Sequence, residues 1–290
     1  MNGNSMSPDI KQSRLCAYCG CSGQLTREHI IPKFIFKRQY EKSSERLLTN
    51  IITRSGPAAT PSEPTIADVC SQCNGGFLSA LDQYASGLYD RYFDHSCEVG
   101  KEIRFEFDFV RLSRWLMKLS FNVGRARNWS TDLMEELQHF VPYVRGIPTV
   151  HPEFWMLLRV LSPVSSIELE KLSNLKQLSV EDIESIRRPD FRRVGHWASE
   201  HVQGVVIGMN AFQFWICFPK QLPSAVWNKT RGQLLRSAPA NTWLRSDKPR
   251  AIIYPSKWSM IDELTRSLPL QRNVQIGAKM AANRGASSVR

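Results

Sequence analysis

Two short cysteine pairs constrain this chain more than any other feature of its sequence. Cys16 and Cys19 form one C-x2-C pair, and Cys70 and Cys73 form a second. Two residues between cysteines let one tight turn present both sulfurs to a single ion, and four thiolates complete a tetrahedral zinc site. We therefore expect the two pairs to converge on one structural Zn²⁺ that holds both ends of the intervening segment together.

The long gap between the two pairs does not argue against a shared ion. Lengthening such a gap from about 17 to about 50 residues costs only about 1 kcal/mol of loop-closure entropy, whereas structural zinc binding supplies about 10–16 kcal/mol. The alternative is two unrelated pairs of buried thiols. Because the first residues show no export signal, we expect a cytoplasmic protein, where spaced thiols stay reduced and bind metal.

A charged motif with the sequence REHIIPK occupies residues 27–33, and Asn74 directly follows the second cysteine pair. His29 suits a general base that deprotonates water, because histidine is the side chain that most often serves as one. Adjacent residues of a regular strand point to opposite faces, so Glu28 and His29 share one site only at a strand end or a bulge. The alternative is a structural histidine and a surface carboxylate within a zinc-stabilised fold.

The motifs CAYC, REHIIPK and CSQCN, taken in this order, resemble those of the HNH endonuclease family across about residues 15–90. EHIIPK together with CNGGFLSALD is similar to a group of bacterial HNH-like proteins. The resemblance implies a zinc-bound ββα-metal module that hydrolyses phosphodiester bonds, with DNA, double-stranded in particular, favoured over RNA. It also implies that His29 is the general base, that Glu28 and Asn74 hold a catalytic Mg²⁺ or Mn²⁺, and that the protein acts in defence or on mobile elements.

Three positions depart from the family's pattern. Thr65 stands where the family often has Asn, Phe77 stands where Lys is common, and Glu28 replaces the commoner Asp. These departures favour an alternative function, a catalytically inactive zinc-stabilised module that binds nucleic acid. A third alternative is a protein-interaction domain whose charge is incidental. If the site is active, three nearby residues are candidates for the missing positive charge and for phosphate contacts: Arg27, Lys33 and Lys37.

The net charge of +11 lies entirely after residue 100, because residues 1–100 carry ten basic and ten acidic side chains. A basic region of this size favours binding to polyanionic partners, because binding releases the counterions of the polyanion. Four arginines cluster shortly before Trp197, namely Arg187, Arg188, Arg192 and Arg193. We predict that Arg192 and Arg193 contact nucleic acid, and the alternative is a solvated loop or helix face.

The sequence predicts an α+β protein in four parts. Residues 1–14 form a flexible N-terminus, 15–95 the zinc-binding module, 96–270 a mixed α/β region and 271–290 a disordered basic tail. No membrane span is expected, since even the longest uncharged run contains several polar residues and fits a buried hairpin better.

Periodicity predicts the main elements of the chain. We expect a helix over about 77–93, a strand near 103–109, a helix that Gly124 closes, a helix from 131 to about 146, and a strand over 154–161. Two further strands turn at Asn210, and a short strand covers 251–254. Residues 41–64 are expected to form a loop, and 164–190 to be partly helical.

Overall fold

The computed structural model describes part of the chain. The described residues are 15–42, 49–53, 56–60, 63–95, 97–127, 129–147, 153–162, 192–198, 202–219, 226, 228–229, 232, 242–256 and 259. They combine helices with antiparallel sheets, which confirms the predicted α+β class. The predicted N-terminal segment 1–14, the polar segment 164–190 and the tail 271–290 lie outside these residues.

The second cysteine pair lies where a two-stranded antiparallel pair meets a long helical segment, and the first pair precedes the first of these strands. Strand β1 (Leu25–His29) pairs with β4 (Thr65–Cys70), so that His29 lies opposite Thr65. Four helical stretches then follow in direct succession: α2 (Ser71–Cys73), a π-helical stretch (Asn74–Leu78), α3 (Ser79–Leu88) and a second π-helical stretch (Tyr89–Phe93). The predicted helix over 77–93 is confirmed, and the helical segment begins earlier, directly after β4.

The segment predicted to be a loop over residues 41–64 contains regular structure. Helix α1 (Lys33–Lys42) extends into its start, and β2 (Thr49–Thr53) pairs in antiparallel fashion with β3 (Gly56–Thr60). The loop prediction was wrong here because the average composition, rich in Ser, Thr, Gly and Pro, concealed the short β-branched run of β2.

Three helices follow, and the first of them packs against the β1–β4 pair. Strand β5 (Ile103–Glu106) leads into α4 (Phe109–Arg127), which is followed by α5 (Thr131–His139) and α6 (Val141–Arg145). The prediction that Gly124 closes the first of these helices was wrong. A Cβ at Gly124 would lie 2.5 Å from the sulfur of Met134 and 2.9 Å from a ring carbon of Trp129, so this glycine permits close packing inside the helix. The predicted helix over 131–146 is two helices, and Gly146, with φ +83°, ends the second.

A five-stranded antiparallel sheet forms the rest of the described structure. Its strand order is β10 (Thr242–Leu244), β6 (Trp155–Val160), β9 (Phe212–Pro219), β8 (Val202–Met209) and β7 (Arg192–Ala198). The predicted hairpin turned at Asn210 is confirmed, and Asn210 has the positive φ of +52° that such a turn requires. A separate strand, β11 (Arg250–Ile253), pairs with β5 and confirms the last predicted strand.

One apolar core contains side chains from both sides of the boundary predicted at residue 95. The ring of Phe93 lies 5.1 Å from that of Phe212 and 5.6 Å from that of Phe214, measured between centroids. Asn210 donates a hydrogen bond of 2.5 Å to the carbonyl of Phe93. The helical segment after the second cysteine pair therefore packs directly on the five-stranded sheet. In the part of the chain that the structure describes, each helix is too short or too polar to traverse a lipid bilayer.

Candidate metal centre and histidine site

The four predicted cysteine ligands converge. The sulfurs of Cys16, Cys19, Cys70 and Cys73 all lie within 4.8 Å of one another, and the Cys19 and Cys70 sulfurs are 3.7 Å apart. Zinc–thiolate bonds of about 2.3 Å in a tetrahedron separate the sulfurs by about 3.8 Å. The group can therefore hold a metal ion such as zinc, which confirms the predicted convergence.

Two local structures present these sulfurs. A tight turn over residues 17–19 carries the first pair, and the amide of Gly20, which has φ +73°, donates to the Cys16 carbonyl at 2.9 Å. The second pair brackets the junction where β4 ends and α2 begins. A strand end and a turn fix both pairs in the backbone, so the sulfurs converge without a long flexible loop between each pair.

The thiols of the cluster differ in how easily they ionise. Burial disfavours the Cys16 thiolate, but amide hydrogen bonds from Cys70, Cys19 and Tyr18 outweigh it and lower the pKa of Cys16 to about 6. Burial raises the pKa of Cys73, and the neighbouring cysteine sulfurs raise it further. A bound divalent cation favours deprotonation of a coordinating thiol outright. Cys21 is exposed and lies outside the cluster.

His29 lies at the end of β1 and is held by an acidic side chain that sequence reasoning missed. Its Nε2 is 2.9 Å from Oε2 of Glu63, and the two side chains are 29% and 26% exposed. The β1–β4 pairing continues beyond the strand end, since Ile30 N donates to Pro64 O at 2.9 Å. Glu63 lies in the segment predicted to be a loop, so only this pairing brings it beside His29.

Glu28 points to the other side of the same strand. The β-bulge of β1 falls between Thr26 and Glu28, so Glu28 and His29 remain consecutive residues of a regular ladder and face opposite ways. The Glu28 side chain is only 4% exposed. Its Oε1 lies 2.9 Å from the Lys118 ammonium nitrogen and accepts a hydrogen bond of 3.2 Å from Asn122. The structure does not bring Glu28 to the side where His29 meets Glu63, and its role as a cation ligand stays a prediction.

Asn74 connects the helical segment to the bulge in β1. Its amide nitrogen donates to Oγ1 of Thr26 at 2.9 Å and to the carbonyl of Arg27 at 3.1 Å. The residue after the second cysteine pair is thereby tied to the strand that carries Glu28 and His29. Both amide hydrogens face this strand, so the amide oxygen is the Asn74 atom that could bind a cation.

Glu28 belongs to a buried ionic network that also contains Lys118 and Asp82. Lys118, 1% exposed, lies 2.7 Å from Oδ2 of Asp82 in addition to its contact with Glu28. Burial raises the pKa of Asp82, and the Lys118 charge opposes that rise. Among the described residues, the four cysteines are the only group of three or more His, Cys, Asp or Glu side chains that converge as metal ligands do.

The predicted phosphate-contacting residues occupy two regions. Arg27, Lys33 and Lys37 are exposed on β1 and α1. Arg192 and Arg193 are the first residues of β7, so this part of the arginine cluster is a strand and not the loop or helix face of the alternative.

No family model, no curated protein and no solved structure matches the chain.

Proposed function

We propose that this chain is a metal-dependent HNH-type endonuclease that hydrolyses phosphodiester bonds, in DNA rather than RNA. The observation that carries the proposal is the His29–Glu63 pair, in which a carboxylate lies 2.9 Å from a partly exposed imidazole at the C-terminal end of β1. The resemblance of the three motifs supports the same assignment. So do the pairing of β1 with β4 and the helical segment that directly follows β4, with a four-cysteine group beside them.

His29 acts as the general base in this scheme. A carboxylate bonded to one ring nitrogen selects the tautomer and orients the ring, so the other nitrogen can take a proton from water. Glu63 supplies that bond, and the partial exposure of both side chains leaves room for water and a phosphate. General-base catalysis of this kind contributes about 10²–10⁴-fold to the rate.

Zinc on the four cysteines is structural in this scheme. All four coordination positions are thiolates, which leaves no open position for water or substrate. The ion would join the turn before β1 to the end of β4, and β1 carries His29. Its contribution is to hold the strand pair in register.

A second cation, Mg²⁺ or Mn²⁺, would neutralise negative charge on the phosphate and on the leaving oxygen. Its proposed protein ligands are Glu28 and Asn74, completed by water and phosphate oxygens as Mg²⁺ prefers. Lys118 and Asn122 both contact Oε1 of Glu28, so Oε2 is the atom proposed to bind this cation. The exposed side chains of Arg27, Lys33 and Lys37, together with Arg192 and Arg193, are proposed to contact the DNA backbone.

A second candidate is a zinc-stabilised module that binds nucleic acid without cutting it. The burial of Glu28 against Lys118 favours it, because a cation beside Glu28 would have to share the carboxylate with an ammonium group. Phe77, which stands where the family often has Lys, packs its ring edge-on against Tyr18 at 5.6 Å and has a structural role. The basic charge after residue 100 is compatible with both candidates.

A plasmid-nicking assay separates the two candidates. The zinc-loaded full chain is incubated with supercoiled plasmid in the presence and absence of Mg²⁺ or Mn²⁺; chelators are avoided because they would also remove zinc. We expect cation-dependent nicking that His29→Ala reduces by at least about 10²-fold. His95→Ala is the matched control, because His95 is an exposed histidine whose Nε2 lies 2.9 Å from the Asp90 carbonyl, away from His29.

The results assign the function in each case. Loss of nicking in His29→Ala, with zinc content and DNA affinity retained, supports the nuclease. Equal rates for His29→Ala and the wild type contradict the general-base role. DNA binding without any nicking by the wild type supports the second candidate.

A further inference from the structure

We propose that helix α4 completes the nuclease site and that Asn122 is a positioning residue for the end of β1 that carries His29. This inference rests on the proposed function. It assigns a role in the reaction to a helix that lies outside residues 15–90, the part of the chain that carries the family resemblance.

One face of α4 carries three polar side chains toward the β1–β4 pair. Lys118, Asn122 and Arg125 are spaced four and three residues apart, which places them on the same side of the helix. Lys118 and Asn122 are almost completely buried, and Arg125 is mostly buried. Polar groups are costly to bury unless they are paired, and a helix that only packed against the strands would carry apolar residues at these positions.

Asn122 uses both ends of its amide. Its nitrogen donates to Oε1 of Glu28 at 3.2 Å and to the carbonyl of His29 at 3.3 Å. Its oxygen accepts hydrogen bonds of 2.7 Å from the Tyr18 hydroxyl and 2.7 Å from the Arg125 guanidinium. One fully buried side chain therefore joins the first cysteine turn, which contains Tyr18, to the two strand residues of the proposed site.

The neighbours of Asn122 hold the remaining parts of the same unit. Arg125 pairs with Asp68 of β4, and its guanidinium lies 4.5 Å from the centroid of the Phe121 ring. Lys118 joins Glu28 to Asp82 of α3. Together the three side chains bind β1, β4 and α3 to one helix, so the first hundred residues lack the groups that satisfy Glu28 and the His29 carbonyl.

The two hydrogen bonds that Asn122 donates both reach the end of β1 where the proposed site lies. Its two donor bonds go to Glu28 and to the backbone of His29, the adjacent residues proposed to hold the cation and to deprotonate water. A misplacement of about 1 Å from a change away from the chemistry can cost about 10²-fold in rate. Loss of these bonds is therefore expected to lower kcat more than it changes substrate binding.

The test compares three full-length variants under zinc-loaded conditions. Asn122→Ala removes the bonds and the volume, and Asn122→Leu removes the bonds while largely keeping the volume. Ser113→Ala is the matched control, since Ser113 is a fully buried α4 residue whose hydroxyl bonds to that of Tyr143 at 2.7 Å, away from β1. Measured quantities are kcat and KM for plasmid nicking, DNA affinity, zinc content and the midpoint of thermal unfolding.

We expect both Asn122 variants to lose about 10–10²-fold in kcat, with KM, DNA affinity and zinc content close to those of Ser113→Ala. Activity of Asn122→Leu near that of the wild type would mean that Asn122 only fills space, and would overturn the proposal. A loss confined to stability, equal to that of Ser113→Ala, would overturn it as well.

A further variant and the behaviour of the wild type keep the test decisive. If the Asn122 variants do not fold, Tyr18→Phe removes only the hydroxyl that holds the Asn122 oxygen, and a smaller loss of kcat is expected, whereas unchanged kcat counts against the proposal. A wild-type chain that binds DNA but never nicks it removes the proposed function together with this inference. An active wild type with fully active Asn122 variants removes only the inference.

Discussion

The ammonium nitrogen of Lys118 lies 2.9 Å from Oε1 of Glu28, and both side chains are almost completely buried. The two residues are far apart in the sequence, one in the REHIIPK motif and the other in the middle of α4. Removing one member of a buried ion pair leaves an unpaired charge in a medium that solvates it poorly. The pair therefore links the stability of the whole fold to the strand of the proposed site.

Lys118→Met is expected to lower the free energy of unfolding by about 3–5 kcal/mol, because Glu28 loses a buried partner and Asp82 does too. Denaturant unfolding followed by tryptophan fluorescence measures the loss. Lys101→Met is the matched control, since Lys101 pairs with Glu98 at 2.5 Å on the exposed surface and should cost much less. Equal small losses in the two variants would show that the buried pair contributes little.

Cys73→Ser is expected to remove the metal from the four-cysteine group and to lower the unfolding temperature strongly, because three thiolates bind zinc more weakly than four. Elemental analysis of the purified chain should give about one zinc per wild-type chain. Cys21→Ser, which changes the exposed cysteine outside the cluster, should keep zinc and stability. A metal-free wild type with an intact fold would contradict the zinc assignment.

Glu63→Gln is expected to lower the nicking rate by about 10-fold or more, because the amide holds the His29 ring less firmly and can select the wrong tautomer. Single-turnover kinetics at saturating protein measure the chemical step. Glu98→Gln, which changes an exposed carboxylate that pairs with Lys101, serves as the control. If the two variants cut DNA equally fast, Glu63 does not orient the general base.

Glu28→Gln separates the two roles open to Glu28. If Glu28 is a cation ligand, the substitution is expected to raise the Mg²⁺ concentration needed for half-maximal nicking by about 10-fold or more, with zinc content retained. If Glu28 is only a counterion of Lys118, the substitution is expected to change the free energy of unfolding but to leave the Mg²⁺ dependence as it is in the wild type. The Mg²⁺ titration and the denaturant curve are recorded on the same preparation.

Lys33→Ala is expected to weaken DNA binding about equally for all sequences and to reduce the slope of log affinity against log salt by about 1, if Lys33 neutralises one phosphate. Removing Arg192 and Arg193 together should reduce the slope by about 2. Arg104→Ala is the control, because Arg104 is exposed but already paired with Glu102 at 2.8 Å. Slopes unchanged in all variants would exclude these residues from the interface.

Local patterns determined much of this protein from the sequence alone. Two C-x2-C spacings predicted one four-sulfur group, and helical and alternating periodicities predicted the helix after the second pair and the hairpin at Asn210. These features depend on residues that are close in sequence, or on cysteine spacings that are typical of metal sites. The short strands β2 and β3 were missed because a few β-branched residues carry little weight in a polar segment.

Only the tertiary structure decided what surrounds the motif residues. Glu63 reaches His29 because β1 and β4 pair, and Lys118 and Asn122 reach Glu28 because α4 packs beneath the strands. No spacing rule connects residues so far apart, since their meeting depends on the register of a sheet and the rotation of a helix. The sequence therefore named the motif residues of the candidate site, and long-range packing added Glu63 and decided which side chains face the surface and which are buried in an ionic network.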